Sequence, residues 1–106
     1  MLSTDLLQFD ITSLPEFTLG KDLSQILNVG AATLHRYQRM AKILIEDYRE
    51  THTERLPLTR YQCWVLIQIN DAFKVFKNKK FIVDKIKASP ADFSKYAYRK
   101  QTGFKH

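Results

Sequence analysis

The stretch from residue 20 to 39 holds apolar side chains at a spacing that fits neither one continuous helix nor a strand. These side chains are Leu23, Leu27, Val29, Leu34 and Tyr37. The spacing fits two short helices that meet at a sharp corner. Asn28 stands at that corner, and asparagine, like glycine, adopts the left-handed conformation that ends a helix with little strain. We therefore predict a first helix over residues 21–27 and a second helix that opens at Gly30, with Val29 filling the corner.

The second of these helices would present small residues first and cations behind them. Leu34 and Tyr37 would turn inward against the first helix. The residues left facing outward are Ala31, Ala32, Thr33, His35, Arg36 and Arg39. Small residues followed by cations suit a helix that enters a DNA major groove, where its N-terminal residues meet base edges. The pattern therefore predicts a helix-turn-helix, although two amphipathic helices joined by a turn also occur as plain scaffold.

The charge of the chain is unevenly distributed. The formal net charge is +6, with a pI near 9.6. Residues 1–29 hold a single cation, Lys21, against the four acids Asp5, Asp10, Glu16 and Asp22, so the excess positive charge lies after Asn28. Such a balance favours a polyanionic partner, and double-stranded DNA is the expected one.

Several function classes have no support in the sequence. Cys63 is the only cysteine, so no intramolecular disulfide forms, and no Cys or His cluster has metal-ligand spacing. The three histidines have no acid or nucleophile at a spacing that builds a catalytic site, and there is no phosphate-binding loop. No secretory signal and no apolar run of about 20 residues is present. We expect a cytoplasmic, nucleoid-associated protein that is not an enzyme and has no cofactor, metal, membrane contact or evident small-molecule effector.

Residues 1–17 are expected to form an N-terminal arm or short strand ahead of a single domain over residues 18–106. Leu7, Phe9 and Ile11 alternate with polar residues, which suits a strand. Its partner would be either a wing hairpin in the same chain or the same segment of a second subunit. Thr18 is the expected cap of the first helix.

We expect the second helix to continue to about Tyr48 and to be followed by a loop or short wing over residues 49–57. Arg49 and Arg55, together with Arg60 just beyond, are candidate contacts to DNA phosphates, with His52 and Thr53 beside them. The alternative is a solvated loop that is partly neutralised by Glu50 and Glu54.

The second half of the chain predicts three more helices. Thr59 would cap a central helix that runs to about Lys77 and buries Cys63 and Trp64, and Asn78 would be its left-handed end. A helix over residues 82–88 would bury Phe81. A last helix over residues 90–100, capped by Ser89 and ended by Gly103, would turn Phe93, Tyr96 and Ala97 inward. A second basic cluster is either a solvated helix end or, with Arg99 and Lys100, a flank for DNA: Lys77, Lys79, Lys80, Lys85 and Lys87.

The order of these parts resembles the DNA-binding domain of MerR-type transcription regulators, a winged helix-turn-helix. The resemblance covers about residues 19–87 and rests on the segments ATLHRYQR, LPLTRYQCWVLIQI and KKFIVDKIK. By position, Thr33 and Leu34 match the family's T-L, Tyr37 its second aromatic residue and Arg39 its final cation. Thr59 matches the cap of the helix after the wing, and residues 81–86 match the last motif. The resemblance implies a mainly α fold with a wing.

The departures from that pattern limit what it implies. His35 stands where the family usually has arginine, and Arg36 takes the place of the first aromatic residue. The wing lacks the family's Gly-Tyr-Arg signature. The long dimerisation helix and effector domain are absent or reduced to residues 90–106, so a metal or drug sensor is not expected, and a dimer would use the N-terminal strand, the Trp64 helix or the last helix.

The sequence thus predicts a sequence-specific DNA-binding transcription regulator, a repressor that acts as a homodimer by occluding a promoter. The nearest alternative is an excisionase-like recombination accessory protein that bends DNA. From another class, the chain would be a protein-interaction adaptor that uses its helix-turn-helix as scaffold, with weak DNA affinity that is indifferent to sequence.

Overall fold

The computed structural model describes residues 11–51 and 57–103, and this part of the chain is mainly helical, as predicted. The helices are α1 (Gly20–Leu27), α2 (Ala31–Leu44), α3 (Glu46–Thr51), α4 (Arg60–Phe76), α5 (Lys79–Ala88) and α6 (Lys95–Thr102). Two short strands, β1 (Phe17–Thr18) and β2 (Leu58–Thr59), pair antiparallel with Phe17 opposite Thr59. Single 3-10 turns cover Ile11–Ser13 and Pro90–Phe93.

Helix α4 is the centre of the fold. Every residue from 61 to 67 is buried, and the helix contacts the other five helices and both strands. Its start is fixed by a capping box, in which Thr59 Oγ1 accepts from the Gln62 N–H at 3.1 Å and the Thr59 N–H donates to Gln62 Oε1 at 2.8 Å. The predictions that Thr59 caps this helix and that Cys63 and Trp64 lie in the core are confirmed.

The corner between α1 and α2 has the predicted backbone. Asn28 is left-handed, with φ 59° and ψ 47°, and its N–H bonds back to the carbonyl of Gln25. Val29 packs partly buried against the core. Three residues therefore connect the two helices, and Gly30 is the N-cap of α2.

The second helix is shorter than predicted. It ends at Leu44 because Ile45 is extended, with φ −119° and ψ 111°, and is buried to 1% exposure. Arg49 Nη1 on α3 donates to the carbonyls of Lys42 and Ile43 at 3.2 Å each, which satisfies acceptors that the helix end leaves open. Tyr48, the predicted end of α2, is instead a fully buried residue of α3.

The end of α4 differs from prediction by one residue. Lys77 is left-handed, with φ 56°, whereas Asn78 is extended and its Oδ1 accepts the Phe81 N–H at 3.1 Å as the cap of α5. An asparagine serves either role, and the side-chain cap prevails here. Helix α5 consequently starts at Lys79, and Phe81 is exposed (48%) where burial was predicted, while Ile82 and Ile86 are buried.

The predicted last helix is two elements. The 3-10 turn at Pro90–Phe93 ends at Ser94, whose Oγ accepts the Ala97 N–H at 3.1 Å and caps α6. This break rotates the helix so that Tyr98 is buried and Tyr96, predicted to face inward, is 68% exposed. Gly103 ends α6 with φ 82°, as predicted.

The N-terminal predictions are corrected in part. Thr18 lies in β1 and does not cap α1, which follows Leu19 without a side-chain cap. Most of the predicted strand, residues 7–10, lies outside the described residues. Ile11 belongs to a 3-10 turn and, with Leu14, is buried in the core.

Candidate nucleic-acid interface

Five of the six predicted contact residues of α2 lie on the outer side of that helix, and Thr33 lies at the boundary with its buried side. Thr33 is partly buried, and the other five are exposed: Ala31, Ala32, His35, Arg36 and Arg39. No acid stands in the first turn of α2, and Gly30 supplies no side-chain cap. The first-turn N–H groups and the arginines behind them therefore leave this end of the helix positive and sterically open.

The inner side of α2 is fixed to α4 by one buried polar contact. The Tyr37 hydroxyl donates to Asn70 Oδ1 at 3.0 Å, and the Tyr37 ring stacks on Phe73 with centroids 5.4 Å apart. Burial raises the pKa of Tyr37, and the nearby charge of Lys74 opposes this only in part. The hydroxyl thus keeps its proton, and the contact joins the buried side of α2, which also includes Leu34 and Ala41, to α4.

Two lysines of α5 extend the positive charge of α2. Arg36 and Arg39 share a groove of about 480 Å³ with Lys79 and Lys87. Within the described part of the chain none of these four cations has an ion-pair or side-chain hydrogen-bond partner. The sequence offered Lys79 and Lys87 only as members of a basic cluster, because their distance from α2 depends on how α5 packs.

The three arginines predicted on the wing side are placed differently. Arg49 is exposed, but its Nη1 is bound to the carbonyls at the end of α2. Arg60 is partly buried, its Nε donates to the Leu14 carbonyl at 3.0 Å, and it lines a hollow with Lys95 that includes no residue of α2. Arg55 lies outside the described residues, as do His52 and Thr53. Only the α2 residues are thus brought together on one face.

The thiol of Cys63 is isolated from this face. The residue is fully buried, and burial raises the pKa of its thiol to about 12, against a smaller opposing effect of Thr18. No three His, Cys, Asp or Glu side chains among residues 11–51 and 57–103 lie close enough together to hold a metal ion.

Comparison with known proteins gives no relative: the chain matches no family model, no curated protein and no solved structure. None of the helices described above has the length and apolar character needed to cross a lipid bilayer. The MerR-type resemblance therefore stays a prediction.

Proposed function

We propose that this protein binds double-stranded DNA in a sequence-specific manner through the outer side of α2, and that it represses transcription as a homodimer by occupying a promoter. The observation that carries the proposal is the exposed set of small and cationic residues on α2, with no described acid paired to either arginine. In this proposal α1 and α2 are the two helices of a helix-turn-helix, with α2 as the recognition helix.

The side chains have distinct roles in the proposed complex. Ala31 and Ala32 allow the start of α2 to approach base edges, where a methyl group favours thymine. Arg36 and Arg39 supply bidentate donors that suit guanine or a phosphate. Thr33 and His35 stand between them and offer further hydrogen bonds.

The test is selection from a random double-stranded DNA pool at about 0.15 M salt, where non-specific attraction is weakened. Wild-type protein is compared with Arg36→Ala/Arg39→Ala. The matched control is Arg99→Ala/Lys100→Ala on α6, because it removes the same charge from exposed residues that lie outside α2 and outside its groove. A control that alone weakened binding would show that Arg99 and Lys100 flank the DNA instead. We expect wild type and the control to select one palindromic motif and the α2 variant to lose it.

The same experiment tests the dimer and the arginine contacts. Two half-sites separated by about 34 Å, or a multiple of it, are expected for a symmetric dimer. Each lost phosphate contact would reduce the slope of log affinity against log salt by about 0.9. If no motif emerges, or if both double variants weaken binding equally, sequence-specific binding by α2 is wrong, and a motif without two-fold symmetry would contradict the homodimer.

A further inference from the structure

The groove between α2 and α5 is more than a cluster of cations. Four of the side chains that line it are apolar, namely Met40, Ile43, Leu44 and Val83. Ile43 is 68% exposed, so an aliphatic side chain faces solvent in the middle of a basic surface. No acid is among the described residues that line the groove. The groove is thus lined by four apolar side chains and four cations together.

The spacing of these residues shows that the groove follows both helices. Arg36, Met40 and Ile43 lie on one side of α2 at i, i+4 and i+7, and Lys79, Val83 and Lys87 lie on one side of α5 at i, i+4 and i+8. At about 1.5 Å of rise per residue, each helix contributes roughly 10–12 Å of wall. About two turns of a helix, at 5.4 Å per turn, would lie along that length.

The chemistry of the groove limits what would occupy it. DNA phosphates would pair with the cations but would place charged groups against four apolar side chains. A purely apolar helix would cover the apolar side chains but leave the four cations without partners. That is costly when the cations lose their hydrating water. A helix with an apolar stripe flanked by carboxylates would pack on the apolar side chains and pair with the cations.

We propose that this groove docks an acidic amphipathic helix of a protein partner. The complementarity is four cations and no acid on the groove against carboxylates on the helix, with Ile43 and Val83 inserted into its apolar stripe. Since Arg36 and Arg39 line the groove and also belong to the proposed DNA face, the docked helix would compete with DNA. That competition rests on the proposed function, whereas the docking does not.

The docking is tested with a display library of 18-residue peptides that have an alanine-rich helical frame and are randomised on one side among apolar, acidic and basic residues. We expect selection on wild-type protein to enrich apolar residues at i, i+3 or i+4, and i+7, flanked by Asp or Glu. The best synthetic peptide should bind about tenfold more weakly to Lys79→Ala/Lys87→Ala and to Ile43→Ser. All three positions are exposed, so these variants should keep the wild-type circular dichroism spectrum.

The matched control is again Arg99→Ala/Lys100→Ala, which should bind the selected peptide as wild type does. Failure to enrich acidic amphipathic sequences would overturn the docking proposal. So would a peptide whose affinity is the same for wild type and for both groove variants, or one that the control weakens equally.

Competition is measured by titrating the same peptide into the complex with selected DNA. We expect DNA release from wild type and resistance to release in Lys79→Ala/Lys87→Ala. Groove-dependent peptide binding by a protein that selects no DNA would refute the proposed function and leave the docking site standing. DNA binding that coexists with saturating peptide would refute the competition alone.

Discussion

The buried pair of Tyr37 and Asn70 offers a quantitative test of how α2 is held. Their hydrogen bond is 3.0 Å long, and the two residues are only 7% and 2% exposed. Asn70 Nδ2 is buried without a hydrogen-bond partner among the described residues. Tyr37→Phe would therefore leave the whole Asn70 amide unpaired. Such a buried group costs about 1–3 kcal/mol, and we expect a loss of about 2 kcal/mol in the free energy of unfolding.

The complementary change tests whether this cost belongs to the pair. Asn70→Leu leaves the Tyr37 hydroxyl unpaired, but it also removes an amide nitrogen that already lacks a partner. In Tyr37→Phe/Asn70→Leu both polar groups are gone, and replacement of both partners by apolar groups is often close to neutral. The double variant should thus be nearly as stable as wild type, with a coupling energy of about 1–3 kcal/mol.

Urea unfolding followed by circular dichroism at pH 7 measures all four proteins. The midpoint should fall for each single variant and recover in the double variant, with an unchanged slope against urea. If the losses of the two single variants simply add in the double variant, the hydrogen bond does not link α2 to α4 in the way the geometry indicates. A loss below about 0.5 kcal/mol in Tyr37→Phe would refute the expected cost of the unpaired Asn70 amide.

Three further predictions concern other parts of the chain. Lys77→Gly should raise the free energy of unfolding by about 0.5–1 kcal/mol, because glycine adopts the left-handed backbone of this position without strain. The control Lys85→Gly, inside α5, should lower it by about 1 kcal/mol, and urea unfolding measures both. Arg49→Ala should lower the free energy of unfolding by about 1 kcal/mol, because two carbonyls at the end of α2 lose their donor. The slope of log DNA affinity against log salt should stay unchanged. A slope smaller by about 0.9 would instead indicate that Arg49 contacts a phosphate. Burial raises the pKa of Cys63 from 9.0 to about 12, so the folded state holds the thiol proton more tightly than the unfolded state does. The contribution of this thiol to stability is therefore fully present below pH 9 and is lost between pH 9 and 12. Between pH 8 and pH 10.5 the free energy of unfolding should fall less in Cys63→Ala than in wild type. An equal fall in the two proteins would show that the Cys63 thiol does not cause it.

The features that the sequence predicted well are those set by local chemistry. Asn28 is left-handed because asparagine tolerates that conformation where a helix must turn sharply. Thr59 was predicted as the cap of α4 because threonine favours that position, and the structure adds Gln62, three residues on, as the second half of a capping box. The burial of Trp64 and Cys63 followed from a helix that is apolar on nearly all sides.

The errors come from places where tertiary packing decides between local alternatives. Nothing near Ile45 in the sequence marks a helix end, since neither Gly nor Pro is present, and the break is stabilised by its own burial and by Arg49 from the next helix. Asn78 was equally suited to end α4 or to cap α5. The sequence does not distinguish Tyr96 from Tyr98 as the buried residue, because the choice depends on where α6 starts after the break at Ser94.

The candidate site shows the same division. The outer residues of α2 followed from periodicity, because the inward positions Leu34 and Tyr37 are apolar and the remainder must face away. The groove could not be predicted in this way, because it requires Lys79 and Lys87 to lie beside Arg36 and Arg39, which are at least 40 residues earlier in the chain. Such proximity is a property of how α5 packs on α2.

The position of Tyr37 allows stability and recognition to be separated experimentally. Tyr37 faces α4, whereas Arg36 and Arg39 are exposed on the same helix, so the two sets act on different sides of it. Tyr37→Phe/Asn70→Leu changes only the buried side and should retain the selected DNA motif and the groove peptide at wild-type affinity. Arg36→Ala/Arg39→Ala changes only the outer side and should leave the urea midpoint in place. If the arginine variant also lost stability, its failure to bind DNA would reflect unfolding, and the outer side of α2 would no longer be assigned a recognition role.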